Sequence, residues 1–101
     1  MSLVDFMEVW WLSIRQLLEA GGVVARFERS PIDRPKTSCS LNLRRNKVEV
    51  DLVVWDSGEA ELVTVDHDGS TKQQHFDDLR ISPQLSVVLS RMVTLLTGSS
   101  L

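Results

Sequence analysis

The side chains with chemistry to offer are the carboxylates and two histidines of residues 49–77. Asp66-His67-Asp68 precedes His75, with Glu59 and Glu61 upstream. Carboxylate and imidazole bind zinc and other first-row metals when three or four of them converge. On an alternating strand Asp66 and Asp68 share one face and His67 points to the other. A metal would then need His75 and a further ligand from elsewhere, and no spacing in the chain announces one. The plainer reading is a polar strand end entering a turn at Gly69, so neither metal nor cofactor is expected. Catalytic patterns are weaker still. The chain has no G-x-S-x-G, no phosphate-binding glycine loop, no H-E-x-x-H and no Cys–His pair in a recognisable setting. Carboxylate pairs occur throughout residues 49–68, so finding one discriminates nothing, and no catalytic residue is assigned. The expectation is a protein that is not an enzyme.

A different chemistry suits these residues: contact with another protein. The 101 residues suffice for one α+β domain with a single core, 43% hydrophobic and 25% charged. Cys39 is the only cysteine, which excludes an internal disulfide. No apolar run is long enough to cross a membrane, and the N-terminus lacks the pattern of a signal peptide. A cytoplasmic location is therefore expected. The net charge of −3 is unevenly placed: residues 1–46 carry +2, residues 47–80 carry −6 and residues 81–101 carry +1. A negative field of this kind repels nucleic acid and anionic lipid and attracts basic partners. On a blander reading it is a solvated face that keeps the protein soluble.

Two helices and a run of strands must position these groups. Residues 3–22 read as a helix, with Val4, Met7, Trp11, Ile14 and Leu18 on one stripe, and Gly21-Gly22 supplying the stop. Leu3, Phe6, Trp10 and Leu17 widen the apolar arc beyond what one sheet face requires. Either a second helix shares that arc or part of it meets another chain. Residues 23–30 alternate as a strand, and the two prolines of SPIDRPK predict a loop. Cys39, Leu41 and Leu43 alternate toward the core, Asn46 marks a tight turn, and Val48, Val50, Leu52 and Val54 form the core face of the next strand. Asp56-Ser57-Gly58-Glu59 closes a hairpin into AELVTVDHD, and TKQQHFDDL, with little apolar content, follows as an edge strand or an extended segment. Ser82 and Pro83 predict the start of a last helix, whose apolar face is Leu85, Val88, Leu89, Met92, Val93 and Leu96 and whose end is Gly98. The order predicts an antiparallel meander of four to five strands, with the N- and C-terminal helices packed on one face.

The other face then meets water, and Glu49, Asp51, Val53 and Trp55 lie on it. Trp55 either packs on a neighbouring strand or anchors a contact, since Trp is enriched among residues that dominate binding. Trp55, Asp56, Glu59, Glu61, Asp66 and Asp68 are the candidate partner-binding residues: an aromatic anchor with carboxylates around it, suited to a basic protein surface. Residues 26–45 are net +4, with Arg26, Arg29, Arg34, Lys36, Arg44 and Arg45. Phe27 is the sole aromatic there to stack a base, so these cations are expected to pair with the acidic strands and not with nucleic acid.

The segment LVVWDSGEAELVTVDHDGS, followed by QQHFDDL and a terminal apolar helix, resembles the TriTu-type immunity proteins of bacterial polymorphic toxin systems. Trp55, Ser57-Gly58, the strand after them and Asp66 before the next turn carry the resemblance, over roughly residues 38–97 as judged by pattern. It implies a non-enzymatic inhibitor that binds a cognate toxin domain in the cytoplasm, with no nucleic-acid or membrane partner. Many such toxins carry basic clefts. Two other classes compete. A small acidic secretion-type chaperone would use the surplus apolar arc of the first helix for dimerisation or partner binding, and a small enzyme or ligand-binding domain would hold a pocket between sheet and helices. Monomer and homodimer both stay open.

Overall fold

The computed structural model describes residues 2–31, 35–80 and 84–98. Its elements run α1 (Leu3–Ala20), β1 (Val24–Arg29), β2 (Ser38–Arg45), β3 (Val48–Trp55), β4 (Ala60–Val65), β5 (Thr71–Phe76) and α2 (Gln84–Thr97). The strands form one antiparallel sheet in chain order, β1-β2-β3-β4-β5. The fold is α+β, as the alternation of apolar residues predicts. Ser82 and Pro83, expected to start α2, lie outside the described residues.

Local chemistry sets the boundaries. Ser2 caps α1 with an extended backbone, its Oγ accepting the Asp5 N–H at 3.1 Å. At the other end Gly22 takes φ +83°, and the N–H groups of Gly22 and Val23 donate to Glu19 O and Leu18 O. Asn46 opens the two-residue β2–β3 turn at φ +56°, a conformation that Asn tolerates better than most residues. Gly98, at φ +74°, ends α2.

Strand parity places the core. Leu41 lies opposite Phe27 and Leu52, and Leu52 lies opposite Leu62, all on the helix side. Cys39, Leu43, Val50, Val54 and Ala60 complete that face, buried against Val4, Met7, Ile14 and Leu18 of α1 and the apolar stripe of α2. Apolar content fades toward β5, where Lys72 and Gln74 occupy helix-side positions and are exposed. A polar edge of this kind discourages further strand pairing.

The helices run parallel to each other. Both N-termini lie near the β3–β4 turn, where Asp56 Oδ1 accepts the Val4 N–H at 2.9 Å. Both C-termini lie at Arg45, whose Nη1 donates to Leu96 O at 3.0 Å and whose Nε passes 3.7 Å from the Cβ position of Gly22. An anion at the N-terminal ends and a cation at the C-terminal ends both suit the helix dipoles. The helix backbones stay apart: among the described residues no Cα of α1 comes within 8 Å of a Cα of α2. Each rests on the sheet, and a groove separates them.

One local expectation is corrected. Asp66, His67 and Asp68 are not strand residues with Asp66 and Asp68 on one face. β4 stops at Val65, and Asp66–Ser70 is a turn closed by Asp66 N to Ser70 O and Gly69 N to Asp66 O. The carboxylates themselves make it: Asp66 Oδ1 accepts the His67 N–H, and Asp68 Oδ1 accepts both the N–H and the hydroxyl of Ser70.

Candidate protein-binding face

Among the described residues no helix covers the far side of the sheet, and the register lays out its residues in rows. Glu28, Ser40, Val53, Glu61 and His75 form one row; Arg26, Asn42, Asp51, Val63 and Gln73 form the next; Val24, Arg44, Glu49, Val65 and Thr71 form the third. Trp55, opposite Ser38, stands at the end of β3 beyond the first row. Val53, Val63, Val65 and Trp55 are partly buried among these polar neighbours. Charge is mixed across the face: Arg26, Glu28 and Arg44 stand on β1 and β2, Glu49, Asp51 and Glu61 on β3 and β4, and His75 on β5. A polar hollow of about 530 Å³ lies over β1–β3, lined by Arg26, Glu28, Asn42, Arg44, Glu49 and Asp51.

The expected pairing of arginines with acidic strands is realised only in part. Arg44 stands opposite Glu49, but among the described residues neither Arg26 nor Arg44 makes an ion pair. Lys36 does pair with Glu59, at 3.0 Å. Arg29 turns the other way and bridges Asp5 and Glu8 of α1 at 2.9 and 2.8 Å, lowering the Asp5 pKa. Strand parity gives the cause: Arg29 follows Phe27 by two residues and shares its helix-facing side. Arg34 lies outside the described residues.

The six candidate residues fall into two groups. Trp55, Asp56, Glu59 and Glu61 gather at the β3–β4 end, while Asp66 and Asp68 sit in the β4–β5 turn, on the order of 20 Å away along β4. Trp55 borders a hollow of about 420 Å³ with Ser30, Pro31, Pro35, Lys36 and Ser38. Asp56 is engaged at α1, as described above. Glu59 and Glu61 both have lowered pKa values, Glu59 chiefly through its hydrogen bond from Lys36 and Glu61 chiefly through that from His75. Asp66 and Asp68 are lowered by hydrogen bonds from His67 and Ser70 within their own turn.

His75 is the neighbour that sequence reasoning left without a role. Its Nδ1 lies 2.6 Å from Glu61 Oε1 and its Nε2 lies 3.3 Å from Asp77 Oδ1. These contacts, Glu61 foremost, raise its pKa above 6.5 and favour the imidazolium, which can donate to both carboxylates. Register pairing could have found it, since His75 lies directly across from Glu61. Among the described residues no three His, Cys, Asp or Glu side chains are grouped to hold a metal ion. Cys39 is buried, and burial pushes its thiol up to about 12, leaving little thiolate for nucleophilic chemistry.

A second concave feature lies on the helix side. The groove between α1 and α2 encloses about 620 Å³, with Leu3, Phe6, Trp10, Leu85 and Leu89 as its apolar lining and Asp56 and Arg80 at its polar end. The adjacent Trp11 faces the sheet instead, stacked on Phe27 at 5.3 Å with the Arg15 guanidinium over its ring. No protein-family model, curated protein or solved structure matches this chain.

Proposed function

We propose that this chain is a cytoplasmic immunity protein that neutralises a cognate bacterial toxin domain by binding it through the open sheet face. The observation that carries the reading is that uncovered face, with Trp55 and three partly buried valines set among carboxylates. Trp55 is the anchor, and Glu59 and Glu61, held ionised by their neighbours, meet the toxin's basic groups. Asp66 and Asp68 act at longer range on encounter, while Asp56 fixes the turn that presents Trp55. The unpaired Arg26 and Arg44 call for an acidic or carbonyl-rich patch on the same partner, which makes the face selective as well as attractive.

The test is co-expression with the C-terminal domain encoded immediately upstream of this chain's gene. Rescue of growth and a one-to-one complex are expected, with at least a tenfold loss of affinity for Trp55→Ala or Glu59→Lys, the range of a binding hot spot. Association should slow steeply with salt while dissociation changes little. Absence of both toxicity and complex would sink the proposal. The exposed apolar flank of α1 favours a secretion-type chaperone as the second reading, distinguished by a partner held unfolded and not as a folded domain.

A further inference from the structure

β1 and β5 are the edges of the sheet, and they differ. β5 is polar, whereas β1 pairs with β2 in an unbroken register over Val24–Arg29, without proline or bulge to blunt it. Ser30 N donates to Ser38 O at 2.9 Å, extending the same ladder. By alternation the backbone groups of Val24, Arg26 and Glu28 turn toward β2, and those of Ala25, Phe27 and Arg29 turn outward. Among the described residues no strand pairs with them. Arg26 and Glu28 are exposed on the open face, and among the described residues neither makes an ion pair.

We infer that β1 pairs with β1 of a second copy, antiparallel about a two-fold axis at Phe27, so that the two sheets become one. Hydrogen bonding and charge select both the occupant and the register. Outward groups must meet outward groups, so Ala25, Phe27 and Arg29 pair among themselves. With Phe27 opposite its own copy, Ala25 meets Arg29 and every outward residue is paired. Ala25 is small, which leaves the Arg29 side chain on Asp5 and Glu8 of its own chain. Arg26 then stands opposite Glu28, twice by symmetry, in the narrow pairs where side chains come closest. Moving the axis by one residue sets Arg26 against Arg26 or Glu28 against Glu28. The helix layer agrees. Trp11 stacks on Phe27, so α1 crosses β1 near the axis. Leu12, 49% exposed, lies on the flank of α1 that carries Arg15 and Glu8, the latter bound to Arg29. The axis turns that flank toward its own copy, with opposite charges about a turn to either side of Leu12. Of the residues proposed to meet a toxin the dimer draws on Arg26 alone, so it stands whether or not Trp55, Glu59 and Glu61 bind one.

The test is light scattering and sedimentation of the full chain from low to high micromolar concentration. The contact is small and chiefly backbone, so a micromolar dissociation constant is expected, with the wild type reaching twice 11.4 kDa at high concentration. Arg26→Glu and Glu28→Arg each set like charges opposite one another at both symmetric places. Each should raise the dissociation constant at least about tenfold. Both positions are exposed, so the circular dichroism should be unchanged. The double variant Arg26→Glu/Glu28→Arg brings opposite charges together again and should recover the dimer. Trp55→Ala should leave the dimer intact while weakening toxin capture, which separates this inference from the proposed function. A wild-type monomer at high micromolar concentration would overturn it. So would a dimer that withstands both single reversals, or a double variant that associates no better than they do.

Discussion

Gly58→Ala tests how the β3–β4 turn is held. Gly58 sits at φ +101°, and its carbonyl accepts the Leu79 N–H at 2.7 Å. A Cβ there would fall onto Asp78 Oδ1, 2.7 Å from Asp78 Cγ and 3.0 Å from Arg80 Nε. Asp78 cannot swing aside freely. Its Oδ1 accepts Arg80 N and Nε and its Oδ2 accepts Arg80 Nη2, contacts that lower its pKa to about 2. The left-handed backbone costs a non-glycine residue about 1–2 kcal/mol. Crowding adds about 1–3 kcal/mol, as for overpacking elsewhere. Together, a loss of about 2–5 kcal/mol corresponds to a fall in Tm on the order of 10–40 °C for a chain of this size. Urea unfolding followed by Trp fluorescence measures it. In an Asp78→Ala background the clash is gone, and Gly58→Ala should cost only the backbone part, about 1–2 kcal/mol. Equal costs in the two backgrounds would refute the steric account, and a neutral Gly58→Ala would refute both parts.

Asp56→Ala removes the acceptor for Val4 N–H and a negative charge from the start of α1, so it should cost about 1 kcal/mol in urea unfolding. Asp56→Asn keeps the acceptor and should recover most of that loss; an Asn variant as weak as Ala would contradict the hydrogen-bond assignment. In an NMR titration the His75 ring should show a midpoint above 6.5, moving down toward 6.5 in Glu61→Gln. Because its pKa is higher in the folded state, its contribution to stability is fully present below pH 6.5 and is lost as pH rises through the raised value. Glu61, lowered from 4.5, contributes above pH 4.5 and loses that contribution as pH falls through its lowered pKa. The pair is thus most effective between about pH 4.5 and 6.5, and a wild-type minus His75→Gln difference in urea midpoint that grows above pH 7 would contradict this sign.

The sequence by itself determined the faces of the elements. Cys39, Leu41 and Leu43 on β2 and Val48, Val50, Leu52 and Val54 on β3 are legible because strand parity is local: each side chain points opposite to its neighbours whatever the rest of the chain does. The α2 stripe is legible for the equivalent helical reason, and Gly58 and Gly69 mark hairpins because few other residues take their φ. The exposed face carrying Trp55 follows from the same parity. The extent of β4 did not, because Asp66 and Asp68 satisfy local backbone donors with their own side chains, and alternation cannot register that competition.

Only the tertiary structure decided what lies beside what. Asp56 meets Val4 across 52 residues, Arg45 reaches the ends of both helices, and Asp66 and Asp68 stand far from Trp55 although they follow it by only eleven and thirteen positions in the chain. Periodicity shows that α1 has more apolar surface than a sheet can cover, but not where the excess goes. That depends on how far apart the sheet holds two parallel helices, which side-chain volumes and the shape of the sheet fix together. No single segment encodes that distance, so the groove between α1 and α2 exists only in the assembled fold.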